Sequence, residues 1–542
     1  MEQLLTYILL FSIIIIVGLV SNKLIIPITL LLVIVGMILS FIPQFPKISI
    51  DPNLILHIFL PLLIYQISSF SSWFDFKKNI RPIALLSIGH VVFITFTVAY
   101  IVHGLIPDLG WPLCFVLGAV VSPPDDVAIV SIAQKIRFPN RVITILEGEG
   151  LLNDAAALTL FRFSIAALLT QQFSAAQTLL NFLIIVVGEI LYGFLIGELL
   201  GQIRKRIKNT SLHMMASLLT PFFAYLPPLI LGGSGVISTV ATGFVIGHRY
   251  VTYFTPEFRL VGFAIWPMIS FAINCLIFLL VGLNLRSIID SIAPLSFNSI
   301  LVYGSIIIFT VIVARFIWVF IAQVFLPRFL FPSILKKDPY PPWQFPFLIS
   351  WSGMRGPISL AAALAIPILP NLGNGPNPRD LIIFFVFMLI LATFLLQGLT
   401  LPWIMKVLNV KQIGEKEAYR EHVNELLARK AMIKAALRWL KQYRREYNED
   451  KLLCSQLKLA ITEYRDHLAD LKNRIDHHPE ELEYESEANS NEENRLDIFL
   501  KTQLIEVERA TLFQLWRRAK VSLTLRNKLL EKLDHRIKHL PG

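Results

Sequence analysis

The chain has 542 residues, of which 55% are hydrophobic and only 16% are charged, and its formal net charge is +11. Soluble globular proteins carry about 25% charged residues, so the composition excludes a purely soluble protein. In a membrane protein a positive balance reflects basic cytoplasmic loops, and we therefore expect no nucleic acid partner. The three cysteines are too few and too scattered for a disulfide framework or a metal cluster.

Apolar runs of about 17–25 residues predict membrane helices, and thirteen such runs precede residue 411. The first lacks the basic start and the small-residue cleavage site of a signal peptide, so we interpret it as a retained span. The runs are approximately 4–21, 24–42, 53–69, 81–105, 112–134, 141–170, 176–201, 212–230, 234–248, 262–285, 299–326, 345–369 and 381–406. They predict an all-α, polytopic membrane domain over residues 1–410.

The loops between these runs predict an orientation. With the N-terminus outside, the inside loops carry 16 Lys and Arg residues and the outside loops carry three. Lysine and arginine are enriched in cytoplasmic loops, and one missed span would move the later loops to the other side. We therefore expect a multi-pass protein of the cell (inner) membrane, surrounded by lipid, with its N-terminus outside and its tail in the cytoplasm.

The tail, residues 411–542, differs in kind, because its 26 Lys and Arg residues nearly balance its 23 Asp and Glu residues. Stretches with helical spacing and i,i+4 charge pairs predict a cytoplasmic helical domain with a regulatory or assembly role. The segment His477–Glu493 holds seven glutamates and is typical of a flexible acidic linker.

Several ionisable side chains fall inside the predicted membrane runs. Such groups cost free energy in hydrocarbon, so they are retained where they are paired or have a function. The acids are Asp125, Asp126, Glu147, Glu149, Asp154, Glu189 and Glu198, and the arginines are Arg162, Arg315 and Arg355.

Two of the runs are interrupted by proline and glycine. The fifth contains Ser122-Pro-Pro-Asp-Asp126, whose prolines remove two backbone donors and prevent a regular helix. The twelfth contains Ser352-Gly-Met-Arg-Gly-Pro357, a similar break around one arginine. By the loop count these runs have opposite directions, which predicts inverted repeats with two crossing interrupted helices at mid-membrane. Two unrelated proline kinks are the alternative.

The sixth run carries Glu147-Gly-Glu-Gly-Leu-Leu-Asn-Asp154. Glu149 and Asn153 are four residues apart and share a helix face, whereas Asp154 points about 100° further round. We expect Glu149 to pair with Arg355, because an unpaired guanidinium in a dry environment is costly. An Asn-Asp pair can hold and release a small cation, so the motif predicts a proton-coupled ion transporter.

These residues resemble the monovalent cation/proton antiporters of the CPA1 group, the sodium/proton exchangers that include bacterial NhaP-type and animal NHE proteins. The resemblance covers the whole membrane domain and its motifs occur in the same order. Two further motifs that carry it are Asn274-Cys-Leu-Ile-Phe-Leu-Leu-Val-Gly-Leu283 and Gln397-Gly-Leu-Thr-Leu-Pro402.

The resemblance implies a role for each residue of the site. Asp154 would bind cation and proton alternately, and Asn153 would occupy the position of a second aspartate in electrogenic relatives. Asp125 would match the aspartate at the unwound crossing, and Glu149 with Arg355 would form the family's buried ion pair. Members of this family are usually homodimers, so a homodimer is expected.

Three positions depart from the family pattern. Pro124 stands where a threonine is frequent and Gly150 where a serine is usual, and both hydroxyls can contribute to cation coordination in relatives. Carboxylate, carbonyl and water oxygens then remain as ligands, which leaves Na⁺, K⁺ and Li⁺ open. Asp126, where proline or a small residue is common, is an additional candidate for ion binding together with Glu149.

The sequence thus predicts a secondary transporter that exchanges Na⁺ for H⁺ by alternating access, with both ions competing for Asp154. A K⁺/H⁺ antiporter is the first alternative, and a polytopic sensor or scaffold is the second. No nucleophile–base pair, phosphate-binding loop or metal-ligand spacing indicates an enzyme or a cofactor, and no metal is expected beyond the transported cation.

Overall fold

The structure, a computed structural model, is helical wherever it describes regular secondary structure, and it has no β-strand within the described ranges. The prediction of an all-α fold is therefore confirmed. The described residues are 2–21, 23, 27–43, 45–46, 51–125, 138–170, 175–291, 297–325, 342–367, 377–408, 410–446, 451–477, 498–518 and 520–538.

The apolar part of the chain forms fifteen described helices. Helices satisfy their own backbone hydrogen bonds, as segments in hydrocarbon must. They are α1 (Glu2–Ser21), α2 (Ile28–Ser40), α3 (Pro52–Phe70), α4 (Trp73–Lys78), α5 (Ile80–Leu105), α6 (Gly110–Val121), α7 (Asn140–Leu169), α8 (Leu180–Arg206), α9 (Thr210–Ile230), α10 (Val236–Val245), α11 (Pro256–Asp290), α12 (Ile300–Val324), α13 (Gln344–Trp351), α14 (Pro357–Leu364) and α15 (Pro378–Val407).

Eight of the described helices are long and apolar enough to cross a membrane: α3, α5, α7, α8, α9, α11, α12 and α15. Each of the thirteen predicted runs contains all or part of a described helix, and the helices in the other five runs are not among these eight. The chain is a multi-pass membrane protein, whereas the number of crossings and the inverted repeats stay predictions.

The two predicted interruptions are present and meet each other. Helix α6 ends at Val121, directly before the paired prolines. Between α13 and α14 the backbone leaves the helical conformation until Gly356, which precedes α14 in an extended conformation. The backbone N–H of Asp125 donates to the carbonyl oxygen of Met354 at 2.7 Å. One unwound backbone therefore satisfies part of the other, as a buried chain requires.

The chain divides into two compact units. The first comprises Met1–Arg206, Met215–Tyr250 and Ile265–Lys411, and the second comprises Ile207–Met214, Val251–Ala264 and Gln412–Gly542. The sequence predicted a division between residues 410 and 411 but did not predict that two earlier segments belong with the tail.

The second unit contains four helices of the tail and an internal ionic contact. The helices are α16 (Val410–Glu446), α17 (Lys451–His477), α18 (Ile498–Arg517) and α19 (Leu523–Lys538). Apolar side chains of α16, α17 and α18 form a core that includes Leu440, Leu457 and Leu500. Asp534 accepts hydrogen bonds at 2.8 and 2.6 Å from Arg259, which lies in the segment Val251–Ala264. Most of the predicted acidic linker, from residue 478 onwards, lies outside the described residues.

Candidate functional site

Asp154 lies in the middle of α7 and faces a small internal cavity. Its side chain is only 9% exposed, and its carboxylate has no hydrogen bond or ion pair with any residue that the structure describes. A buried carboxylate is costly unless it is neutralised or paired. The position of Asp154 therefore calls for a proton or a cation at its oxygens.

The cavity that Asp154 faces lies between α3, α7, α14 and the break after α6. Its volume is about 40 Å³, whereas one water molecule needs roughly 10–15 Å³. Apolar side chains of α3 line one wall, and Asp125, Asp154, Gly150, Gly356 and Ser359 line the remainder with their neighbours. The space can therefore hold a small cation together with a few water molecules.

Asp125 reaches this cavity from the break after α6. Gly356 lies directly against it, because a Cβ on Gly356 would come within 2.7 Å of the Cβ, Cγ and Oδ2 atoms of Asp125. Real Cβ atoms do not approach so closely, so the crossing requires glycine at this position. The structure thus brings Asp125 and Asp154 to the same cavity, and their predicted role in ion binding stays a prediction.

Asn153 lies beside the cavity rather than in its wall. Its side chain is buried, and its Nδ2 donates to the carbonyl oxygen of Pro124 at 2.8 Å. This bond provides a hydrogen-bond donor for a backbone carbonyl oxygen in the break after α6. Asn153 therefore holds the break in place, and it is not among the described residues that line the cavity.

Glu149 forms a buried ion pair, but its partner is not the predicted one. Both its oxygens accept hydrogen bonds from Arg315, at 2.8 Å from Nη1 and 3.1 Å from Nη2. Arg315 passes over Gly353, where any side chain would overlap it. The prediction that Glu149 pairs with Arg355 is therefore wrong. Because Gly353 has no side chain, it leaves room for Arg315 of α12 to contact Glu149.

Arg355 is fully buried beside this pair. Its backbone N–H donates to Thr393 Oγ1 at 3.1 Å, whereas its guanidinium has no hydrogen-bond partner among the described residues. His90 is also close to Glu149, with Nδ1 3.9 Å from Oε1 of that residue. Glu149 is thus surrounded by basic side chains, which suits a structural carboxylate rather than one that exchanges ions.

None of the remaining acids that the structure describes in the membrane segments lines the cavity. Glu189 accepts hydrogen bonds from four backbone amides at the start of α10, including those of Gly235 at 2.9 Å and Ile237 at 3.1 Å. Glu198 pairs with Arg249 near the surface at 2.8 Å. Glu147 is half-buried and does not line the cavity. Asp126 lies outside the described residues.

Three residues of this region were missed or left unassigned by sequence reasoning. Arg315 carries the ion pair, Arg162 donates to the carbonyl of Gly233, and Ser359 lines the cavity. A usable signal existed for Ser359, which lies in the first helical turn after the predicted break. The cavity is lined mainly by apolar residues and by three side chains with oxygen atoms, those of Asp125, Asp154 and Ser359, and these oxygens can hold a hard monovalent cation or a proton.

The chain is similar to known sodium/proton exchangers. The sequence profile described as "Sodium/hydrogen exchanger, transmembrane" matches residues 8–407. The uncharacterized Na⁺/H⁺ exchanger Rv2287 of Mycobacterium tuberculosis is 34% identical over 412 residues, which is 75% of this chain and 74% of that protein. The sodium, potassium, lithium and rubidium/H⁺ antiporter of Bacillus subtilis is 27% identical over 520 residues, which is 94% of this chain and 74% of that protein.

A solved structure shows the same fold. The sodium proton antiporter MjNhaP1 of Methanocaldococcus jannaschii superimposes with a TM-score of 0.58 at 18% identity. The match covers 74% of this chain and 98% of MjNhaP1. The match to the Bacillus subtilis protein covers more of this chain than a membrane domain of 410 residues could supply, and therefore extends into the tail.

Proposed function

This chain belongs to the sodium/hydrogen exchanger family, and we propose that it exchanges Na⁺ for H⁺ by alternating access, with both ions competing for Asp154. Cation/proton antiport is the activity that the family assignment supports. The observation that carries the finer proposal is the buried carboxylate of Asp154, which faces a cavity and has no partner among the described residues.

Competition at one carboxylate is sufficient for exchange. A proton and a cation each neutralise Asp154, but they occupy the same oxygens, so the site releases one when it binds the other. Asp125 adds a second carboxylate to the cavity, and Asn153 keeps the break in position. If Asp154 is the group that titrates, one proton moves against each cation and the cycle carries no net charge.

Na⁺ is the proposed substrate, and K⁺ is the second candidate. The Bacillus subtilis relative is named for sodium, potassium, lithium and rubidium, and it aligns with 94% of this chain. A K⁺/H⁺ antiporter would use the same carboxylate and the same cycle. The two proposals differ in the cation that drives proton movement, which one assay can compare directly.

Orientation and assembly follow from the sequence as proposals. The 16 to three distribution of basic loop residues supports an outside N-terminus and a cytoplasmic tail in the cell (inner) membrane. The outward face of α8 exposes a row of large apolar side chains, including Leu183, Leu191 and Leu195, to lipid or to a second copy in a homodimer.

The test is cation-driven proton movement in everted membrane vesicles, followed with a pH-sensitive dye. Addition of Na⁺ should dissipate the pre-formed proton gradient in wild-type vesicles, because protons leave the vesicle as Na⁺ enters. Asp154→Asn should abolish this response, because an amide cannot take up the proton that the cycle exchanges. Parallel additions of K⁺ and Li⁺ measure the cation preference.

Glu198→Gln is the matched control, because it also converts an acid to an amide but removes a pair near the surface, with its side chain 31% exposed. It should retain exchange. Thermal unfolding of each purified variant shows whether loss of exchange reflects loss of folding. Exchange that persists in a folded Asp154→Asn protein would overturn the proposal.

A further inference from the structure

Ser359 supplies a neutral side-chain oxygen to the cavity. Asp125, Asp154 and Ser359 are the polar side chains among the described residues that line it, and the other lining residues are apolar, glycine or proline. Ser359 is 3% exposed, and its hydroxyl forms no hydrogen bond with any described residue. Its oxygen therefore faces the space in which the two carboxylates lie.

The local backbone explains why this hydroxyl is not used within its own helix. Serine and threonine in membrane helices usually donate to the carbonyl four residues earlier. Ser350 does so to the carbonyl of Pro346 at 2.8 Å, and Thr159 does so to that of Ala155 at 2.7 Å. Ser359 lies in the first turn of α14, so the residue four positions earlier is Arg355, which lies in the break. The usual internal acceptor is therefore out of place.

We propose that Ser359 is a ligand of the transported cation and contributes to cation selectivity; this proposal rests on the proposed function above. Its hydroxyl oxygen, carried by α14, would join the carboxylate oxygens of Asp125 and Asp154 as ligands of the cation. Pro124 and Gly150 offer no side-chain oxygen at this cavity, so Ser359 takes the place of a hydroxyl ligand from a different helix.

A hydroxyl ligand affects the two substrates differently. A cation gains one oxygen dipole from Ser359, whereas a proton bound covalently to Asp154 already has its charge neutralised. Ser359 therefore stabilises the cation-loaded site more than the proton-loaded site. The smaller ions Li⁺ and Na⁺ interact more strongly with an oxygen dipole than K⁺ does, because the charge approaches it more closely.

The experiment measures KM and maximal rate for Na⁺, Li⁺ and K⁺ in vesicles containing the wild type, Ser359→Ala or Ser359→Cys. Cysteine nearly preserves the volume but replaces a hard oxygen by a soft sulfur, which suits alkali cations poorly. Both variants should raise the KM for Na⁺ by about five- to tenfold, the order of one lost polar contact. The KM for K⁺ should rise less, and the maximal rate should change little.

Competition with protons gives a second readout. At a sub-saturating Na⁺ concentration, a variant that binds the cation more weakly is inhibited by protons at a lower proton concentration. The acid limb of the activity profile should therefore move to higher pH in Ser359→Ala and Ser359→Cys. Ser350→Ala is the matched control, since it removes a buried hydroxyl that is bonded within its own helix, and it should leave the KM and the pH profile unchanged.

Each outcome decides the proposal. A raised Na⁺ KM in both variants, with Ser350→Ala normal, supports it. A wild-type KM in Ser359→Cys, with or without a change in Ser359→Ala, assigns Ser359 to packing and overturns it. Failure of the proposed function is distinguishable, because it would appear as exchange in Asp154→Asn or as no cation response in the wild type.

Discussion

Glu149, Glu189 and Asp154 are all buried carboxylates, but they differ in the hydrogen-bond donors around them. Glu149 holds both ends of the Arg315 guanidinium, and Glu189 accepts four backbone amides at the start of α10. Asp154 has no such donor among the described residues and faces a cavity instead. The first two carboxylates are structural groups, because their oxygens are already occupied by hydrogen-bond donors. The third can exchange one neutralising partner for another.

Removing the partner of Glu149 should have the largest effect on stability and tests whether Glu149 is a structural carboxylate. Arg315→Met should leave a buried carboxylate unpaired and destabilise the protein by about 3–5 kcal/mol. The double variant Glu149→Met/Arg315→Met should recover part of the loss, because it no longer leaves the Glu149 carboxylate buried without its partner. Thermal or denaturant unfolding of the purified proteins measures both changes. Equal stability of Arg315→Met and the wild type would contradict the structural role of the pair.

Glu189→Gln tests whether the second buried carboxylate, Glu189, also stabilises the fold. The amide has one acceptor oxygen in place of two and lacks the negative charge that suits a helix N-terminus, so a loss of about 2 kcal/mol is expected. Glu198→Gln, at a partly exposed pair, should cost less than about 1 kcal/mol. If Glu198→Gln lost more stability than Glu189→Gln, the assignment of Glu189 as the structural carboxylate of the two would be contradicted.

Glu425 in the tail is a carboxylate whose oxygens both accept hydrogen bonds from basic side chains, and its contribution to stability depends on pH. Burial acts to raise the pKa of Glu425, but Lys528 and Arg429, each at 2.8 Å, outweigh it and hold that pKa below its ordinary value. Its contribution to stability is therefore present above the unfolded-state pKa of about 4.3 and is lost as the pH falls through the folded-state value.

Hydrogen exchange of α16 and α19 in the full chain measures that contribution. Glu425→Gln should reduce protection at neutral pH by the equivalent of about 1 kcal/mol. It should also lose less of its remaining protection than the wild type on acidification. Parallel acid profiles for the two proteins would show that Glu425 does not contribute in this way.

Asp154→Asn should have the smallest effect on stability and the largest on transport. No described donor is lost, and a neutral amide is easier to bury than a carboxylate, so the variant should unfold at the wild-type temperature or above it. Unfolding scans without added Na⁺ measure this. A marked loss of stability would place Asp154 with the structural carboxylates.

Local chemistry made the interruptions predictable from the sequence. Adjacent prolines cannot donate in a helix, so Pro123 and Pro124 fix where the helical conformation ends. Gly356 and Pro357 give the same information for the second break and for the start of α14. The helical spacing of the sixth run also placed Asp154 on a different face from Glu149, which the structure shows as two separate environments.

Partners from distant segments could not be predicted in the same way. Helical spacing fixed the face of Glu149 but could not choose between arginines on other helices, and the space over Gly353 decided for Arg315. The donors of Glu189 are backbone amides, which no residue type reveals. Arg259 and Asp534 meet across 275 residues of sequence, and no local pattern indicates such a contact.

Proton release on cation binding tests the central claim most directly. Na⁺ is added to the purified, weakly buffered full chain near neutral pH, and released protons are measured with a dye while Na⁺ binding is measured by calorimetry. The wild type should release up to about one proton per bound Na⁺, because the cation displaces it from Asp154, and Asp154→Asn should release none. Proton release from Asp154→Asn equal to that of the wild type would contradict the account.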